Sequence, residues 1–128
     1  MEPIQIINSD EISPITQKNK KISLTPILTP KDGAKWRTSL KIQLDKNQKT
    51  NPLSLSSECV FFVMQGKGII FDETANKKDD IYKDKMVFIT PETLFSFITL
   101  EDELTLLGGP CPFCLLYTSD AADEHSWG

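Results

Sequence analysis

"ECVFFVMQGKG", Glu58 to Gly68, is the stretch whose reading decides the fold. From Cys59 to Met64 every residue is apolar, so a strand built here is apolar on both faces. That is the composition of a strand covered on both sides. Gln65 leads into Gly66 and Gly68, and glycine accepts the backbone angles of a tight connection. The stretch therefore predicts a strand, a connection at the glycines, and a second strand in "GIIFD" beyond them.

Working outward, short strands alternate with turns. "KISLTPIL", Lys21–Leu28, reads as a strand that Pro26 places at an edge or a bend. "PKDG", Pro30–Gly33, is turn chemistry. In "WRTSLKIQL", Leu40, Ile42 and Leu44 face one way while Lys41, Gln43 and Asp45 face the other. That period of two marks a half-buried strand. "DKNQKTNP" is a polar loop, and "ETANKKDD" is read as another, with "NKKDD" in an exposed hairpin loop. Asp80–Tyr82, "MVFI", "LFSFIT" and "ELTLLGG" complete the strand series. Residues 1–20 form a polar, irregular arm with one strand candidate at Ile4–Ile7. There is no convincing amphipathic helix and no internal repeat. The sequence predicts an all-β fold, a sandwich or small barrel.

Composition narrows the function classes. A chain of 128 residues has the length of one domain with one core. With 39% hydrophobic and 25% charged residues it reads as globular rather than disordered. No apolar run approaches a bilayer span, so no membrane partner is expected. "MEPIQIINSDEISP" lacks the basic start of a secretory signal, which makes the cytoplasm the expected location. A formal charge of −4 disfavours non-specific nucleic-acid binding.

The C-terminal run "CLLYTSDAADE", Cys114–Glu124, resembles the in-frame translation of a transposase-end sequencing adaptor over eleven consecutive residues. The resemblance implies that residues 114–128 are a non-native tail and that natural sequence runs to about Phe113. "CPFC", Cys111–Cys114, has the spacing of a zinc or redox motif, but on this reading its last cysteine is an accident of the junction. The one histidine, His125, also falls in the tail. Setting aside Asp120, Asp123 and Glu124 moves the formal charge from −4 to −1.

From about Leu40 to Pro112 the order of elements resembles a cupin, the double-stranded β-helix barrel. "ECVFFVMQGKG" resembles the end of the first cupin motif, in which six residues separate an acidic residue from the turn glycine. "YKDKMVFITPETLFSFIT" resembles the second motif, and "LLGGPCP" an ending found in some single-domain cupins. The resemblance implies a barrel spanning residues 21–113 and, commonly, a homodimer. It also implies four metal ligands, and here the sequence departs from the family. Cys59 falls at the glutamate, Leu53 and Leu55 at the upstream histidines (Pro52 and Ser54 if the gap is one longer), and Phe95 at the motif-two histidine. The motif-two glycines fall on Asp84 and Glu92. Metal-dependent cupin chemistry uses three imidazoles and a carboxylate, and leucine and phenylalanine cannot coordinate. The expectation is no metal and no cofactor.

The candidate ligand-pocket residues are Leu53, Leu55, Cys59, Phe61, Phe95, Phe97, Glu58 and Tyr82. Each has a bland reading beside the functional one. Cys59 serves equally as a small apolar core residue, and Glu58, one position off on a strand, as a solvated carboxylate. Phe61, Phe95 and Phe97 either line an apolar pocket or fill the barrel, and Tyr82 and Trp36 are either ligand contacts or packing. No catalytic residue is assigned. The favoured function is a non-catalytic domain, structural or binding a small apolar ligand in an apolar interior. The alternative is a metal-independent lyase or isomerase using Glu58, Cys59 or Tyr82. A third reading is a partner subunit whose strand completes another barrel. An open interior favours ligand chemistry, a filled one a structural role.

Overall fold

The computed structural model describes residues 3–17, 19–34 and 38–110, and the backbone of residues 116–118. Ten strands follow in order: β1 (Ile15–Thr16), β2 (Ile22–Leu28), β3 (Ser39–Leu44), β4 (Leu53–Leu55), β5 (Cys59–Asp72), β6 (Lys77–Tyr82), β7 (Met86–Ile89), β8 (Phe95–Ile98), β9 (Leu104–Pro110) and β10 (Leu116–Thr118). Every pairing is antiparallel. One sheet runs β1-β2-β3-β9-β5-β7. The other runs β6-β5-β8-β4-β10. β5 belongs to both sheets and curls them into one small barrel. Among the described residues two short 3-10 turns, Ser9–Glu11 and Pro30–Asp32, interrupt the β structure.

The doubly apolar stretch does not turn at its glycines. Cys59–Asp72 is one strand of 14 residues. Its first half pairs with β7 and β9, its second half with β6 and β8. The passage from one sheet to the other lies at a bulge between Val63 and Gln65, followed by Gly66 at φ +87°. A Cβ at Gly66 would stand 1.8 Å from the Glu103 carbonyl oxygen. Glycine here bends the strand and lets another backbone approach rather than ending the strand.

Alternation places the core. Leu40, Ile42 and Leu44 are buried, while Gln43 between them is exposed. Pro26 sits where β2 has run past β1, opposite Leu40 of β3 and next to a register shift before Leu28, the kind of irregular place where a strand tolerates proline. Elsewhere the structure corrects the sequence reading. Ile4–Ile7 forms no strand. The run read as a hairpin loop already contains β6 from Lys77, because Asp72 Oδ1 accepts from Thr74 N and Ala75 N and closes the turn early. Within residues 114–128 the backbone of Leu116–Thr118 pairs with β4, and the remaining tail residues lie outside the described residues.

Candidate functional site

Three strands carry the positions where a cupin holds its metal. β4 supplies Leu53 and Leu55, 2% and 3% exposed; β5 supplies Cys59 and Phe61; β8 supplies Phe95 and Phe97. All six are buried and belong to one apolar cluster. Leu53 stands directly opposite Phe95. The three phenylalanine rings pack on one another with centroids 5.4 to 6.4 Å apart, two of the three pairs edge to face. That is the favoured arrangement for aromatic quadrupoles. β4 ends before it can pair with Phe97, and Thr50 completes the ladder in its place. Thr50 N donates to the Phe97 carbonyl and its Oγ1 accepts from Phe97 N, each at 2.9 Å. Among the described residues these side chains pack on one another in the interior, and the Phe97 N–H and carbonyl both bond to Thr50.

The other two candidates are elsewhere. Glu58 is exposed just before β5. Tyr82 is 48% exposed, with Lys85 Nζ 4.8 Å above its ring. Glu58 is one position from buried Cys59 and Tyr82 one position from buried Ile81, so alternation turns both away from the interior. Trp36 lies outside the described residues.

Donor chemistry follows from these placements. The four family positions supply a single donor atom, the Cys59 sulfur, among leucine and phenylalanine carbons. Among the described residues no three His, Cys, Asp or Glu side chains gather where an ion could sit. This set does not fit a transition metal, which needs three or four converging donors.

A groove that the sequence reading missed opens beside the filled interior. It has a volume of about 460 Å³ and lies between β6 and β7. Ile81, Val87, Ile89 and Phe95 floor it, with half-buried Ile70 beside them. Asp72, Asp79, Thr90 and Thr93 stand at its rim. Asp79 has only a long, exposed contact with Lys77, at 4.0 Å. The signal available in the sequence was alternation: Asp79 and Ile81 share a face of β6, as Ile70 and Asp72 share a face of β5.

The turns on either side of β7 retain the motif's backbone without its glycines. Asp84 and Glu92, at the motif-two glycine positions, have φ of 76° and 63°. Each directs its N–H to another strand: Asp84 N donates to the Val63 carbonyl at 3.0 Å and Glu92 N to the Leu55 carbonyl at 2.7 Å.

Sheet order, strand register and turn geometry together define the cupin fold, the double-stranded β-helix. Solved structures agree. The polyketide cyclase RemF from Streptomyces resistomycificus superposes with a TM-score of 0.76 at 13% identity, covering 97% of this chain and 92% of that one. A predicted oxalate decarboxylase from Thermotoga maritima gives 0.67 at 18% identity, covering 81% and 96%. An RmlC-like cupin from Shewanella frigidimarina gives 0.67 at 10% identity, covering 88% and 93%. No protein-family model and no curated protein sequence matches the chain. At these identities the likeness is one of fold.

Proposed function

We propose that this is a non-catalytic cupin-fold domain that holds a small apolar ligand in the groove between β6 and β7. It acts as a cytoplasmic homodimer, without nucleic-acid or membrane partners and without a catalytic metal or other cofactor. Residues 114–128 are, on the same reading, appended to the barrel rather than native to it. The observation that carries the proposal is the aromatic core itself: Phe95 stands at a position where the family motif has a metal ligand, and its ring packs on those of Phe61 and Phe97. Opening that core to admit substrate would expose side chains whose burial stabilises by roughly 1.5–3 kcal/mol each. The groove is already open and has an apolar floor, the usual character of a small-molecule site. The metal-independent enzyme reading has less support, because Cys59 is buried while Glu58 and Tyr82 are exposed. No helix of the described residues is long and apolar enough to cross a membrane.

The test combines metal analysis with ligand titration on protein purified without a histidine tag. Iron, manganese, nickel and zinc are expected far below stoichiometry, and 1-decanol is expected to raise the unfolding temperature in a saturable way. Near-stoichiometric metal that disappears in Cys59→Ser would restore the enzyme reading. No saturable shift with decanol or shorter alcohols would remove the ligand from the proposal.

A further inference from the structure

The groove between β6 and β7 differs in chemistry from floor to rim. Its floor is hydrocarbon: Ile81, Val87, Ile89 and Phe95, with half-buried Ile70 beside them. The rim away from the β6–β7 turn carries oxygen acceptors. Asp79 stands opposite Ile70, and Asp72 opposite Lys77, so the two carboxylates are diagonal neighbours on one face of the β5-β6 pair. Diagonal neighbours lie about 7–8 Å apart between backbones, which lets one small cation sit between two such side chains. Asp72 Oδ1 accepts from Thr74 N and Ala75 N, and no hydrogen bond to its Oδ2 is seen among the described contacts. On the β7 side, Thr90 Oγ1 and Thr93 Oγ1 share one hydrogen bond at 2.8 Å. Two lysines stand near. Lys77 reaches Asp79 only at 4.0 Å, an exposed pair of the kind that contributes little. Lys85, in the turn that joins β6 to β7, also lines the groove, but its Nζ lies 4.8 Å over the Tyr82 ring, which alternation sets on the face of β6 opposite Ile81.

We propose that the molecule held here is an amphipathic cation, with a hydrocarbon body on the apolar floor and a primary ammonium head at Asp72 and Asp79. The inference rests on the apolar-ligand reading above and specifies the head group. An ammonium brings three donors and no acceptor. This rim offers it two carboxylates and the hydroxyl oxygens of Thr90 and Thr93. Hydrogen bonds between ionised partners are roughly twice as strong as neutral ones, so a charged amine gains more here than an alcohol does. An anionic head would meet Asp72 and Asp79 as like charges. A bare metal ion fits less well than an organic cation. Among the described residues no three His, Cys, Asp or Glu side chains gather to hold one, and an ion would gain nothing from the hydrocarbon floor. A tethered head is different: burial of its apolar body holds it at the rim, where it displaces the weak Lys77 contact from Asp79.

The experiment is calorimetric titration of the full chain at pH 7 with 1-decylamine, 1-decanol and decanoate, each below micelle formation. It is repeated on Asp79→Asn and on Glu101→Gln, with circular dichroism to confirm that both variants fold. Decylamine is expected to bind about fivefold more tightly than decanol, the upper range for one exposed ion pair. Decanoate is expected to bind more weakly than either. Asp79→Asn should reduce the amine-to-alcohol ratio to about twofold or less, the lower range for such a pair. Glu101→Gln removes an exposed carboxylate that does not line the groove, so it should keep the wild-type ratio. Equal binding of decylamine and decanol by the wild type overturns the cationic head and leaves the apolar-ligand reading standing. An equal fall in both variants also overturns it, because general attraction to an acidic chain then accounts for the preference. No saturable binding by any of the three compounds overturns both readings.

Discussion

The barrel interior and the two turns flanking β7 both depart from the cupin motifs, but in opposite ways. In the interior the side-chain chemistry has changed, and the packing has changed with it. Leu53, Leu55, Cys59 and Phe95 join a continuous apolar cluster in place of a polar site. At the turns the residue type has changed and the backbone has not. Asp84 and Glu92 hold left-handed angles that favour glycine. The difference shows what maintains each region. Interior positions are defined by what surrounds the side chain, so replacing donors by hydrocarbon requires only that the volume be filled. Turn positions are defined by where the N–H must point, and the carbonyls of Val63 and Leu55 fix that direction whatever the side chain.

The largest expected effect is at the centre of the interior. Phe95 is 1% exposed and touches both Phe61 and Phe97. Phe95→Ala should cost about 3–5 kcal/mol in urea unfolding, since two facing rings cannot both collapse into the space. A loss below about 1.5 kcal/mol, the range of a tolerated volume-conserving swap, would mean that this region is loosely packed and that the contrast with the turns is overstated.

Phe95→His is a sharper probe, because it restores one family ligand. The unpartnered ring nitrogens alone should cost about 1–3 kcal/mol. Added Zn²⁺ should not recover that loss, since Leu53 and Leu55 provide no further donors. Recovery of stability on zinc addition would show that the polar site survives in latent form.

How much of this was legible in the sequence depends on how local each determinant is. The β3 pattern read correctly because Leu40, Ile42 and Leu44 alternate against a single core. The cupin resemblance rested on two motifs with the right separation, and it also pointed to positions 53, 55, 59 and 95. Residue type then showed that these positions lack donors. Whether the three phenylalanines would line a hole or close it depended on contacts between β5 and β8, which sequence spacing does not contain. Gly66 misled for a related reason: a glycine that bends a strand between two sheets looks, locally, like one that ends it. The Ile4–Ile7 segment has strand composition but, among the described residues, no strand beside it. β6 began earlier than its polar residues suggested, because Asp72 closes the turn with its own carboxylate. That missed strand also hid the groove.

The smallest expected effect is at the turns, and its sign is the opposite of the others. A left-handed conformation costs an L-residue about 1–2 kcal/mol. Glycine removes that strain but gives the unfolded chain more freedom, which costs roughly 0.5–1 kcal/mol. At Glu92 the difference favours glycine. The residue is exposed, no side-chain hydrogen bond or ion pair to it is seen among the described contacts, and the N–H bond to Leu55 needs only backbone. Glu92→Gly should therefore stabilise the protein by about 0.5–1 kcal/mol. Asp84→Gly should gain less, because aspartate enters the left-handed region more readily than glutamate. Urea midpoints of the two single variants, measured side by side, decide the matter. A destabilised Glu92→Gly would mean that the glutamate side chain itself holds the turn, and the turns would then differ from the interior only in degree.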